Sequence, residues 1–155
     1  MKHFFYLILF VTSFNVCADN VSQIEHILKQ EDPPFGVVFE ILENEGDALK
    51  WVLPKINTYI VKLRKKFPEI DVAIVSHGSE QFGLMKTKQT ENSITHQLVK
   101  SLSTKKIKIE VCGTHASWRG VKAEDFPDYV EVVPAGPTAI RHYEEIGCEL
   151  IVIRK

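Results

Sequence analysis

The sequence predicts an α/β fold, a three-layer α/β/α sandwich around a mostly parallel five-stranded sheet. Two observations predict it. Short apolar runs alternate with helical patterns about five times along the chain, and several of these runs show no polar alternation. Strands that are apolar on both faces are typical of a parallel sheet covered by helices on both sides. A chain of 155 residues is long enough for one such domain and too short for two ordinary ones.

The first 18 residues have the pattern of an export signal. A basic start is followed by the apolar run 4–11, and the segment closes on the small residue Ala18. Polar residues interrupt the segment before it reaches the ~20 apolar residues that a bilayer-spanning helix needs. We therefore expect a signal peptide over 1–18, cut near Ala18, and a periplasmic or otherwise exported protein without stable membrane insertion.

The composition excludes several classes of protein. Nineteen Lys and Arg stand against 20 Asp and Glu, giving a formal net charge of −1. Because these charges are dispersed and balanced, we expect no nucleic-acid partner and no polybasic membrane binding. A hydrophobic content of 45% excludes a disordered chain.

The first half of the mature chain predicts two helical segments around one strand. Residues 19–34 are polar with a weak helical stripe and form an N-terminal extension, whereas 35–155 form one α/β domain. A dense run of β-formers over 35–41 predicts the first strand. Pro54 predicts a kink or a later start in the long amphipathic helix that follows. That helix is indicated by apolar residues at steps of three and four: Leu49, Val52, Leu53, Ile56, Ile60, Leu63 and Phe67.

The second half repeats this alternation. We expect strands over 72–75, 107–111, 130–133 and 150–153. A helix with Ile94, Leu98 and Leu102 on one face lies between the first two. Another helix opens at Gly136 with a proline at its first position and ends at Gly147. Segments 78–89 and 112–120 are predicted as loops, the first of them a flexible lid, and 123–126 as a short helical turn.

Three loop segments are expected to meet at one edge of the sheet. In open parallel sheets, ligands bind beyond the carboxyl ends of the strands. His77-Gly78, the segment 112–120 and the segment 134–136 all follow strands. The candidate binding residues of this crevice are small or polar: Gly78, Gly113, Thr114, Gly120 and Gly136.

Cys112 is the main chemical candidate. A thiol reacts as the thiolate, which nearby cations or helix amide groups stabilise. His115 and Arg119 follow Cys112 within the same segment and can supply that stabilisation. His77 is placed to orient the thiol or exchange a proton with it. The predicted catalytic group is therefore Cys112, His77, His115 and Arg119. A buried packing cysteine is the alternative.

Cys148 is expected at the opposite edge of the sheet, because it precedes the last strand. Along parallel strands the two sulfurs would be ~15 Å apart, whereas a disulfide needs Cα atoms within about 7 Å. Because cleavage near Ala18 also removes Cys17, Cys112 is predicted to be a free thiol. Cys112, His77 and His115 form a weak zinc alternative, but the usual ligand pairs are missing, so we expect no metal. We expect no nucleotide cofactor either, since the loop 78–83 is not followed by the phosphate-binding lysine.

Several short motifs follow one another in the last third: Cys112-Gly113 after a strand, Arg119-Gly120-Val121, a further strand, Ala135-Gly136 and Gly147. Together with His77-Gly78 upstream, this order resembles the DsrE/DsrF-like family. It covers roughly residues 35–153. The resemblance implies a compact DsrE-like or flavodoxin-like α/β sandwich that forms homo-oligomers. In sulfur-relay members a cysteine after a strand carries a persulfide between protein partners, and Cys112 lies at the matching position.

The resemblance implies an exported member of this family that accepts or transfers sulfane sulfur on Cys112. Its partners would be a second copy of the chain and a sulfur-donor or sulfur-acceptor protein. The alternative is a non-catalytic module of the same fold that binds a small ligand or serves assembly. The first hypothesis depends on the reactivity of one thiol, whereas the second does not.

Overall fold

The computed structural model describes residues 20–154, so the predicted signal segment 1–18 lies outside the described residues. Helices and strands alternate as the apolar pattern predicts. Their bounds are α1 Asn20–Lys29, β1 Gly36–Ile41, α2 Leu49–Lys66, β2 Asp71–Ser76, α3 Ser93–Thr104, β3 Lys108–Cys112, α4 Gly113–Trp118, β4 Glu131–Val133, α5 Gly136–Glu145 and β5 Cys148–Ile153. None of the helices in this part of the chain is long and apolar enough to cross a membrane.

The five strands form one sheet in the order β4-β3-β2-β1-β5, and every pairing is parallel. Helices cover both faces, which confirms the predicted α/β sandwich. The central strands β1 and β2 are almost entirely buried. Their lack of polar alternation follows from this position, because both faces of a central parallel strand pack against helices.

The two faces of the sheet are covered unequally. A large apolar core joins one face to α1, α2 and α3. On the other face, Val38, Ala73 and Val75 pack with Ile140 of α5, the helix that covers that side. Because α5 has only ten residues, it covers less of this face with apolar side chains. The same face also carries the acidic side chains of Glu40 and Glu110.

The first and longest helices show how the apolar pattern is used. Ile24 and Ile27 of α1 are buried in the main core, so the predicted N-terminal extension packs onto the domain. The long helix α2 buries the apolar positions that predicted it. It begins at Leu49 and includes Pro54, which therefore does not delay its start.

Two segments predicted as loops are ordered differently. Residues 79–84 form a 3-10 helix in which Glu80 and Gln81 are fully buried, so this segment is not a flexible lid. The segment after β3 forms the short helix α4 instead of a loop. Apolar periodicity could not indicate either element, because each has one buried apolar side chain, Leu84 or Ala116, and one residue makes no stripe.

The chain leaves two neighbouring strands toward opposite faces. After β3 it enters α4, whose Ala116 packs in the main core. After β4 it enters α5, whose Ile140 packs on the other face. Divergence of adjacent connections opens a crevice at the carboxyl edge of an α/β sheet. Cys112, the last residue of β3, lies at this point.

Candidate functional site

Cys112 ends a strand and caps the helix that follows it. Its side chain is buried, with 5% of the residue exposed, and Sγ accepts the backbone N–H of His115 at 3.4 Å. Its own backbone N–H donates to Oε1 of Gln81 at 2.8 Å. The sulfur therefore faces a backbone donor in the first turn of α4.

His77 directly follows β2 and joins three elements of the site. Its Nε2 lies 2.8 Å from Oε1 of Glu40, which is part of β1. Its carbonyl oxygen accepts a hydrogen bond from Nδ1 of His115 at 2.9 Å. The hydrogen bond from His77 is the main reason that the pKa of the Glu40 carboxyl lies below its ordinary value. Glu40 and His77 thus form a shielded acid–imidazole pair, with 16% and 9% of their side chains exposed.

Gly136, the first residue of α5, brings His77 and Cys112 together. A β-carbon added there would lie 2.6 Å from Cβ of His77, 3.0 Å from its Cγ and 3.5 Å from Cβ of Cys112. Both side chains therefore rest against the same backbone position. A side chain at residue 136 would displace the imidazole, so the close approach of α5 requires glycine here.

A buried carboxylate fixes the loop that presents His77. Oxygens of Glu80 accept hydrogen bonds from the Ser76 hydroxyl at 2.7 Å, the Gly78 N–H at 3.0 Å and the Glu43 N–H at 2.8 Å. A carboxylate that is fully buried needs such donors to offset the loss of water. Glu80 therefore ties the end of β2 to the segment after β1, with His77 between these contacts.

Arg119 lies on the rim of the crevice rather than on the thiol. Its guanidinium donates to the Ser79 hydroxyl at 3.0 Å and lies over the ring of Phe82, 4.4 Å from the centroid. The Phe82 ring in turn meets His115 edge-on at 5.2 Å. Arg119 also lines a cleft of about 400 Å³ together with Asn44, Gly46, Asp47, Ser79, Phe82, Gly83, Lys88, Glu91 and Asn92. These contacts of Arg119 do not include Cys112, so they do not support its predicted role in stabilising the Cys112 thiolate.

The predicted binding residues have separate places. Gly136 lies at the thiol and the imidazole. Gly78 packs against Glu80 and the Glu43 backbone, and Thr114 donates through its hydroxyl to the Pro134 carbonyl at 2.8 Å. A β-carbon at Gly113 would lie 3.0 Å from the Val133 carbonyl oxygen. Gly120 has a φ of +69° with open space around it, which is the conformation of a turn after α4.

Cys148 is far from Cys112, as predicted. Cys148 opens β5 opposite Gly36, at the amino edge of the sheet and three strands away from β3. Both cysteines are free, and burial raises the pKa of the Cys148 thiol. Within residues 20–154, no group of three His, Cys, Asp or Glu side chains is arranged to hold a metal ion. His77 and His115 instead make the hydrogen bonds described above.

Three polar residues of the site were not predicted from the sequence: Glu40, Glu80 and Gln81. Glu40 stands inside an apolar strand, and the Glu80-Gln81 pair stands in a polar segment that looked like a loop. A lone acid within the run 35–41 was the one available signal, because a charge inside a buried strand requires a partner. The partner was not evident, since His77 is 37 residues away.

The fold and site together define a parallel α/β sandwich protein with a cysteine and an acid-paired histidine at the carboxyl edge of the sheet. Two solved structures share the fold. One is a protein of unknown function, MTH1491, from Methanobacterium thermoautotrophicum, with a TM-score of 0.63 and 17% identity over 77% of this chain and 99% of that one. The other is the ychN protein from E. coli, with a TM-score of 0.56 and 15% identity over 76% and 99%.

No family model and no curated protein matches the chain. Membership of the DsrE/DsrF-like family therefore stays a prediction from the motifs.

Proposed function

We propose that the protein is a thiol-based sulfur carrier, in which Cys112 accepts sulfane sulfur as a persulfide and passes it on. The observation that carries this proposal is that the Cys112 sulfur lies at the first turn of α4, while Cβ of Cys112 and the side chain of His77 both pack against Gly136. A backbone donor stabilises an anionic sulfur, and an imidazole can take or return the thiol proton. The motif resemblance points to the same residue.

The proposed step conserves atoms and charge. The Cys112 thiolate attacks the outer sulfur of a sulfane-sulfur donor, such as a protein persulfide or thiosulfate. A new sulfur–sulfur bond forms at Cys112 while the donor's sulfur–sulfur bond breaks. The leaving group departs as a thiolate or as sulfite, and the product on Cys112 is a persulfide anion. The thiol proton goes to His77, where Glu40 offsets the positive charge.

Access to the sulfur sets a condition on this chemistry. Since Cys112 is 5% exposed, a donor must reach it through the crevice between α4 and the start of α5. The rim of that crevice carries Phe82, His115 and the ring of Trp118, which is 76% exposed. Exposed aromatic residues of this kind are typical anchors at protein–protein contacts. We propose this group of aromatic residues as the place where the sulfur-donor protein makes contact.

The test is mass spectrometry after treatment with a sulfane-sulfur donor. Trypsin releases Cys112 in peptide 109–119 and Cys148 in peptide 142–154, so each cysteine is followed separately. We expect a mass increase of one sulfur atom on peptide 109–119 that a reductant reverses. Cys148→Ser is the matched control and should leave this adduct unchanged. An unmodified peptide 109–119 in a folded, donor-treated protein would refute the proposal.

The polar cleft supports a second candidate, a module that binds a small anionic ligand without catalysis. Arg119 is exposed and lines the cleft of about 400 Å³. Sulfate serves as the probe, and thermal unfolding as the measurement. Under this proposal sulfate raises the melting temperature of Cys112→Ser as much as that of the wild type, and Arg119→Ala removes the effect. Equal stabilisation of Arg119→Ala would exclude a site at this residue.

The signal pattern and the resemblance carry two further proposals, export to the periplasm or another outside compartment and assembly into homo-oligomers. The second has a structural reason, because Leu150 and Val152 on the face covered by α5 are half-buried rather than buried. Light scattering on the purified protein measures its mass in solution, and a monomer at all concentrations would contradict assembly. N-terminal sequencing of the exported protein tests cleavage near Ala18.

A further inference from the structure

A shielded acid lies behind the histidine of the site. Glu40 belongs to β1, and its side chain is on the face of the sheet covered by α5. Its Oε1 is 2.8 Å from Nε2 of His77, and the pair is largely removed from solvent. A carboxylate at that distance fixes which ring nitrogen of the imidazole carries the proton.

The geometry points to Glu40 as a positioning residue for thiol ionisation. With Nε2–H donating to Glu40, the lone pair of the imidazole is on Nδ1. Cβ of Cys112 packs against the same position, Gly136, as Cβ and Cγ of His77, so the thiol and the imidazole are neighbouring side chains. Glu40, His77 and Cys112 then form one proton-transfer unit. The thiol proton moves from Sγ to Nδ1, the sulfur keeps the electron pair as a thiolate, and the imidazolium that results is held by Glu40. An acid, a base and a nucleophile in this order are a recurring arrangement in nucleophilic catalysis.

Other titratable groups lie around this unit, and each makes a different contact. Arg154 at the end of β5 favours the ionised form of Glu40. His115 donates its Nδ1–H to the His77 carbonyl. Glu110 on β3 lies on the same sheet face as Glu40, with Val75 between them in the register, and is engaged by the Tyr143 hydroxyl at 2.6 Å. The first turn of α5 carries no titratable side chain.

This inference rests on Cys112 being the reactive group of the proposed function, but its readout is thiol ionisation and requires no sulfur transfer. The folded wild-type protein and Glu40→Gln are alkylated with iodoacetamide at a series of pH values. The rate is followed as modification of Cys112 in the tryptic peptide 109–119. We expect Glu40→Gln to slow alkylation about tenfold at neutral pH, because the imidazole loses the partner that fixes its tautomer and orientation. Loss of a negative charge by itself would act in the opposite direction, because it makes the thiolate easier to form. The sign of the change therefore separates positioning from a simple charge effect.

A double-mutant cycle completes the test. If Glu40 acts through His77, Glu40→Gln changes alkylation little when His77→Ala is already present. Equal or faster alkylation in Glu40→Gln, or an undiminished slowing in the His77→Ala background, would overturn the inference. A measurement on the wild-type protein tests the inference even where a variant does not fold. The nitrogen NMR shifts of His77 are expected to report protonation at Nε2 with a free Nδ1, and the opposite tautomer would contradict the assignment. A persulfide that fails to form while these results hold would refute sulfur transfer and leave the proton-transfer unit intact.

Discussion

Replacement of Gly136 by alanine tests the contact that unites the site. The added β-carbon would lie 2.6 Å from Cβ and 3.0 Å from Cγ of His77, well inside normal carbon–carbon contact. His77 is held from two sides, by Glu40 through its ring and by His115 through its carbonyl. The imidazole therefore cannot move away without breaking one of these hydrogen bonds, or else α5 must shift away from the sheet.

The expected cost follows from these alternatives. Overpacking in a well-packed region costs about 1–3 kcal/mol, and a lost hydrogen bond with a charged partner adds about 1.5–3 kcal/mol. Replacing glycine by alanine at an unstrained position stabilises by about 0.4–1 kcal/mol through the unfolded state. The balance is a net loss of about 1.5–5.6 kcal/mol in the free energy of unfolding for Gly136→Ala.

Urea unfolding measures this loss, and Gly46→Ala is the matched control. A β-carbon at exposed Gly46 would meet no atom within 4 Å, so this variant reports the effect of losing glycine without a clash. We also expect alkylation of Cys112 to change in Gly136→Ala and not in Gly46→Ala, since the displaced group is His77. Equal stability and equal alkylation in the two variants would refute the placement of His77 and Cys112 against α5.

Two more predictions follow from the buried carboxyl groups. Glu80→Gln replaces one of the acceptor oxygens by a donor facing the Ser76, Gly78 or Glu43 donors, and should cost about 2–3 kcal/mol in urea unfolding; a loss below 0.5 kcal/mol would contradict the structural role of this carboxylate. Burial raises the pKa of Glu110 above its ordinary value of 4.5, so the folded state binds the proton more tightly than the unfolded chain, and wild-type stability falls as pH rises from about 4.5 through the folded pKa. Glu110→Gln lacks this titration, and its stability relative to the wild type should improve between pH 4.5 and pH 7; a constant difference across that range would show that Glu110 does not titrate as expected.

The alternation of elements was predictable because burial leaves a direct record in the sequence. The apolar stripe of α2 and the unbroken runs of β1 and β2 are such records. The position of Cys112 at the end of β3 followed from the same pattern, and so did its separation from Cys148 at the other edge. What the pattern could not indicate was the order of the strands, since that depends on which helices cross which face.

The polar partners of the site could not be predicted for a different reason. Gln81 meets the Cys112 backbone across 31 positions of the chain, and Glu40 meets His77 across 37. Such hydrogen bonds form between segments that only the folded chain brings together, so no local spacing in the sequence predicts them. Arg119 shows the converse, because it is near Cys112 in the sequence while its guanidinium contacts Ser79 and Phe82.

The proposed function requires Sγ of Cys112 to be the atom that receives the sulfane sulfur. The most direct measurement uses a donor whose sulfane sulfur is a heavy isotope, followed by mass spectrometry of peptides 109–119 and 142–154 from the same sample. We expect the heavy sulfur on peptide 109–119, released by reductant and absent from Cys112→Ser. Heavy sulfur that is missing from peptide 109–119, or that is distributed equally over the two cysteines, would contradict it.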